Sequence, residues 1–262
     1  KMDDVFLKIN AQGGKITLKP MSASLYQGKY SGAITLNAKR EVPALSLNSK
    51  LAGVDIEPLL FDMTGDRSLS GIANIGGKLK AVGNNSKQLM NGLNGPLKFS
   101  VTDGVYRGID VAAMLAQIEV MVESKRPSSI SKGGETKFQS LAGTINFKNG
   151  VGKNSDLLLD GSGFKITGKG TVADLRTNKI KYDAKVSVDS GKAQRGESNY
   201  NVGGYTVPIR CRGEIGANAC KPDVGDIIAE ISKSAVKNEI GKQLEKIIGG
   251  DVGETLKKLF KF

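Results

Sequence analysis

The chain has 262 residues, enough to bury a sizeable core as one large domain or two small ones, and its 34 glycines and lack of tryptophan fit many short strands joined by glycine turns. No histidine occurs, which removes the commonest general base and the commonest metal ligand together. The net charge of +12 is spread along nearly every strand-like segment. That is the pattern of solvated strand faces, with attraction to an anionic partner as the sharper alternative. No nucleic-acid partner is expected, because no basic cluster is interleaved with aromatic side chains.

From Val5 to Leu51 one strand pattern follows another. Val5, Leu7 and Ile9, then Ile16 and Leu18, then Ile34, Leu36 and Ala38, then Leu45, Leu47, Ser49 and Leu51 keep a period of two, with Gly13-Gly14, Gly28 and Pro43 as punctuation. Short connections between such strands mean antiparallel neighbours. Ile56 to Phe61 reads as a short helix with Pro58 in its first turn. Strand signals resume from Leu69 to Val82, where Gly71, Gly76 and Gly77 predict bulges or sharp curvature. Ser86 then caps a brief helix to Leu93.

The stretch from Leu93 to Glu123 states the rules that the other segments follow. Leu97, Phe99 and Val101 alternate with Lys98, Ser100 and Thr102, which gives a strand one apolar and one wet face. Asp103-Gly104 reads as a turn. From Asp110, a suitable N-cap, the period changes to three and four through Val111, Met114, Leu115, Ile118, Met121 and Val122, a helical stripe able to cover a sheet. This is also the longest candidate for a membrane span, and Gln117 and Glu119 break it.

Residues 124–137 have almost nothing to bury and read as a mobile loop, as do residues 189–204. Between them lie the cleanest strands, carrying Ile145 and Phe147, Leu157 and Leu159, Phe164 and Ile166, and Ile180, Tyr182, Ala184, Val186 and Val188. Apolar residues on one face only mean an open antiparallel sheet whose inner face needs a cover. A last strand runs from Tyr205 to Arg212. Residues 223–262 then read as helices: Val224, Ile227, Ile228 and Ile231 begin an amphipathic stripe that continues to Ile248, and Asp251 with Glu254 forms a capping box for a short final helix. Such a helix can lie on the sheet's apolar face or dock on a membrane surface.

Chemistry-bearing motifs fail one by one. Gly163 to Gly170 comes near a phosphate-binding loop, but Gly170 stands where Ser or Thr should be and the segment reads as a strand. Ser162/Lys165, Ser129/Lys132 and Ser234/Lys237 satisfy a Ser-x-x-Lys spacing that chance supplies in so Ser- and Lys-rich a chain, and Asp156 and Asp160 are placed beside turns. No enzyme activity, cofactor or metal is expected. Cys211 and Cys220 enclose eight residues; two ligands without histidine make a poor metal site, and a redox pair favours a tighter spacing, so they read as a structural disulfide of an oxidising compartment, here the periplasm.

The run LNGPLKFSVTDGVYRGIDVAAML resembles the C-terminal region of the AsmA family of Gram-negative envelope proteins. LAGVDIEPLLFD at Leu51 to Asp62, FQSLAGTINFKNGV within Phe138 to Val172, and GGYTVPIRCRGEI followed by KPDV at Gly203 to Val224 resemble the family too, in its usual order. The resemblance implies a mainly β (α+β) fold: a long curved antiparallel sheet forming a groove or half-barrel, with short helices and a C-terminal amphipathic helix on the apolar face. Residues 1–262 are then one elongated domain, a fragment of a longer protein anchored to the inner membrane through an N-terminal segment. The implied role is outer-membrane biogenesis, with phospholipid or another envelope lipid carried along the groove and envelope proteins as further partners. Phe99, Ile145, Phe147, Leu159, Phe164, Ile166, Tyr182 and Val186 are the expected groove-facing residues. The alternative is an assembly scaffold for outer-membrane proteins, with a closed core and no lipid.

Overall fold

A computed structural model describes residues 2–124, 133–188, 206–215 and 219–223. The chain is mostly β, one long antiparallel sheet, open and curled, with few short helices. Its strands are β1 (Met2–Gln12), β2 (Lys15–Leu25), β3 (Gly28–Asn37), β4 (Ala44–Asp55), β5 (Leu69–Val82), β6 (Gly95–Arg107), β7 (Glu135–Lys148), β8 (Val151–Gly161), β9 (Phe164–Asp174), β10 (Lys179–Val188), β11 (Val207–Glu214) and β12 (Cys220–Pro222). Each pairs with its neighbours in sequence and with no other, so the spatial order is β1 to β12.

Register turns the alternation of each strand into rows that cross the sheet. One row joins Ile9, Leu18, Ile34, Leu47 and Leu79 on β1 to β5. Another joins Val54, Ala73, Val101, Leu141, Leu159, Ile166, Val186 and Val207 on β4 to β11. Both rows lie on the same apolar face, because a period of two repeats across paired strands.

Among the described residues three helices interrupt the meander: α1 (Ile56–Thr64), α2 (Ser86–Asn91) and α3 (Val111–Ser124). Asp55 caps α1 by accepting from the Glu57 N–H, and Gly65 closes it in the left-handed conformation that glycine adopts without strain. The cap of α2 is Asn85, not Ser86: the Asn85 side chain accepts from the Gln88 N–H and the helix starts one residue later. Asp110 caps α3 as expected, accepting from the Ala113 N–H at 2.9 Å. Buried Thr136 on β7 pins the same end, accepting from the Val111 N–H at 3.1 Å and donating to the Ile109 carbonyl.

Other boundaries move for local reasons. Asp103-Gly104 is no turn: β6 continues through it, with Asp103 at φ +51° and Phe138 of β7 over Gly104, which has no Cβ to block the ring. Asp156 and Asp160 stand inside β8, not beside turns. Gly71 marks a register shift between β5 and β6, as its position predicted. The strand expected from Tyr205 is β11, Val207–Glu214. Of residues 124–137, Ser124 closes α3 and Glu135 opens β7, while 125–132 lie outside the described residues. So do 189–204 and the helices expected after Asp223.

Candidate functional site

The apolar face divides in two according to what covers it. Over the later strands, α3 presents Val111, Met114, Leu115 and Ile118, each at most 2% exposed. They join Val101, Phe138, Leu159, Phe164, Tyr182, Val186, Val207 and Ile209 in one buried cluster, with Ile56 of α1. Over β1 and the start of β2 no described element lies on the face, and Val5, Leu7, Ile9 and Ile16 are 57, 42, 60 and 40% exposed. Leu18, Ile34, Leu36, Leu45, Leu47 and Leu79 continue this surface inward as half-buried side chains.

The eight expected groove residues therefore fall into two sets. Leu159, Phe164, Tyr182 and Val186 are buried in the core beside α3, and Phe99, Ile145, Phe147 and Ile166 are half-buried. All four aromatic ones lie across glycines of the neighbouring strand, Phe99 against Gly143. The Phe164 ring covers Gly161, Phe147 covers Gly152, and a Cβ at Gly168 would come within 2.5 Å of the Tyr182 ring. A ring lying flat on a glycine fills the space that strand leaves empty. The surface residues that the expected set omits are Val5, Leu7, Ile9 and Ile16. Their alternation was visible; that no helix follows to cover them was the available signal.

Two buried polar side chains, Asn154 and Tyr182, anchor a hydrogen-bond network that reaches exposed Asp156. The Tyr182 hydroxyl donates to Asn154 Oδ1. Asn154 Nδ2 donates to the Thr144 carbonyl at 3.0 Å and to Asp156 Oδ1 at 2.7 Å, and the Thr144 N–H donates to the same oxygen at 2.8 Å. Burial, and secondly the Asp156 charge, pushes the Tyr182 hydroxyl far above the usual phenol range. The Thr144 N–H, first among its hydrogen bonds, holds the Asp156 carboxyl below the ordinary carboxylate value. This network is structural, since its buried members, Tyr182 and Asn154, are hydrogen-bonded, while Asp156 at its end is exposed.

Cys211 and Cys220 are directly paired across β11 and β12 and form a disulfide. It fastens the three-residue β12 to the sheet. Among the described residues no group of three or more His, Cys, Asp or Glu is placed to hold a metal ion, and no helix is long and apolar enough to cross a membrane.

No curated protein and no solved structure matches this chain. A family model does match, that of the AsmA family, over residues 1–157. The match spans the uncovered strands, α1, α2, the Leu93 to Glu123 stretch with α3, and β7 into β8. With 157 of 262 residues matched, the chain belongs to the AsmA family.

Proposed function

We propose that this chain is a periplasmic lipid-handling module, in which acyl chains lie along the uncovered apolar face of β1 to β4 and the covered strands hold that face open. The AsmA family is an envelope family and not a known enzyme family, so membership points to envelope biogenesis. The disulfide is compatible with the periplasm. The observation that carries the lipid reading is the exposure of Val5, Leu7, Ile9 and Ile16 in rows with half-buried aliphatic residues. Such a surface supplies about 0.8 kcal/mol for each acyl methylene it buries, and its Tyr30 hydroxyl and Ser49 are hydrogen-bonded to each other at 2.9 Å. In this reading the groove residues are chiefly those of β1 to β4, with Phe99, Ile145 and Phe147 continuing the path. Residues 1–262 act as one body, in a protein held at the inner membrane.

Expression in a Gram-negative periplasm, organic extraction and mass spectrometry test this. Stoichiometric phospholipid is expected with the native chain and not with Leu7→Asp/Ile16→Asp, which folds because both positions already face solvent. A lipid-free, monomeric native chain overturns the proposal. One observation favours a second reading, an assembly scaffold: among the described residues β1 pairs on one side only and offers an 11-residue edge with Phe6 57% exposed, suited to adding a partner's strand.

A further inference from the structure

The opposite, polar face carries a hollow that the lipid reading does not use. Its volume is about 880 Å³, inside the roughly 300–1,000 Å³ of ordinary small-molecule sites. Three lysines, Lys50, Lys78 and Lys98, line it against one carboxylate, Asp156, a surplus of two positive charges. That carboxylate is already engaged by Thr144 and Asn154. Among the described residues none of the three lysines has an ion-pair partner. Most of the lining surface is nevertheless apolar, and Leu158, 44% exposed, is part of it.

The register explains the shape. Lys50 of β4 and Lys98 of β6 are both paired with Gly76 of β5, so they flank it directly. Two strand spacings put their backbones about 10 Å apart, with no side chain between. Nothing in the backbone or packing demands glycine there. A Cβ at Gly76 would meet no atom closer than 3.5 Å, whereas one at Gly77 would come within 2.5 Å of the Pro96 carbonyl oxygen. Gly77 is needed for close packing; the missing side chain at Gly76 leaves the floor open between Lys50 and Lys98.

We propose that this hollow binds the phosphate-bearing head of an anionic amphiphile, with Lys50 and Lys98 on the phosphate and Leu158 against the adjoining apolar part. Lysine binds phosphate as a point charge on a flexible stem, and two arms across an open floor can close on one group from both sides. The site lies on the other face from the acyl surface and stands independently of it.

The test is calorimetric titration of the chain with monomeric dihexanoyl phosphatidate, beside dihexanoyl phosphatidylcholine and inorganic phosphate, with hydrogen exchange followed over residues 74–100. Phosphatidate is expected to bind one-to-one, to protect β5 and β6, and to bind at least tenfold more tightly than the choline lipid or phosphate. Affinity is expected to fall at least tenfold in Lys50→Gln/Lys98→Gln and in Gly76→Leu, which keeps every charge and fills the floor; urea midpoints verify that both variants fold. Unchanged affinity in folded Gly76→Leu overturns the proposal, as does no binding. Inorganic phosphate equalling phosphatidate reduces the hollow to a simple anion contact and overturns the amphiphile. Both lipids binding all variants alike places binding on the apolar face, which refutes this site and leaves the lipid reading standing.

Discussion

Truncating apolar residues on the two parts of the same face should give opposite results. Leu115 and Ile118 of α3 are fully buried, and alanine costs nothing in helix propensity there, so each substitution removes packing alone. Large-to-small changes at such positions cost about 2–5 kcal/mol. Ile9 on β1 is 60% exposed and so retains about 40% of its burial. Full burial of such a side chain is worth about 1.5–3 kcal/mol, which leaves about 0.6–1.2 kcal/mol at Ile9 by the same scale, and alanine forfeits only part of it. Urea unfolding of Leu115→Ala, Ile118→Ala and Ile9→Ala, compared at unchanged m-value, measures the contrast. A loss of 2 kcal/mol or more at Ile9, by about the core scale, would show that another element covers β1 and would remove the surface on which lipid binding was argued. A loss under about 1 kcal/mol at Leu115 would refute the packing of α3 on the sheet.

Three further outcomes are expected. Cys211→Ser/Cys220→Ser should cost about 2–3 kcal/mol through the freed loop between the two positions, read as a lower urea midpoint and faster exchange in β11. Tyr182→Phe should leave buried Asn154 Oδ1 without its donor, at about 1–3 kcal/mol. Because the folded state holds the Tyr182 proton more tightly than the usual phenol near pH 10, its contribution is whole below that pH and declines as pH rises above it; urea midpoints at pH 8 and 11 should therefore fall more for the native chain than for Tyr182→Phe. Asp174 is held at about 2, chiefly by its hydrogen bonds to Arg176. Its depressed value means a contribution present above the ordinary carboxylate pKa and lost as pH falls from about 4 to about 2, and carboxyl NMR of Arg176→Gln should show Asp174 raised toward the ordinary range, with the backbone N–H of residue 176 still holding it somewhat below.

The strand faces were legible because alternation needs only the sequence: Leu97, Phe99 and Val101 fall where their period put them, and Val111 to Ile118 form the covering stripe that their spacing announced. The disulfide was legible from the absence of any other use for two cysteines. What alternation cannot convey is coverage. Val5 and Val186 carry the same local signal, yet one is 57% exposed and the other 0%, because Val186 belongs to the buried cluster that the α3 side chains join and Val5 does not. The same holds for Tyr182 on Gly168 and for the hollow at Gly76, both products of cross-strand pairing. Asp103-Gly104 misled because a bulge and a turn draw on the same residues, and only the neighbouring strands decide between them: the register shifts against β5 and runs straight through against β7.

The strict neighbour-to-neighbour order of the strands also governs size. With every strand bound only to those before and after it, the sheet is a one-dimensional array, whose cohesion is a sum of nearest-neighbour interfaces. Inserting or removing one hairpin changes its length by two strand spacings, about 10 Å, and reroutes no other connection. Reach thus becomes a quantity that sequence length can set almost continuously, while the cross-section, and whatever that cross-section accommodates, stays the same.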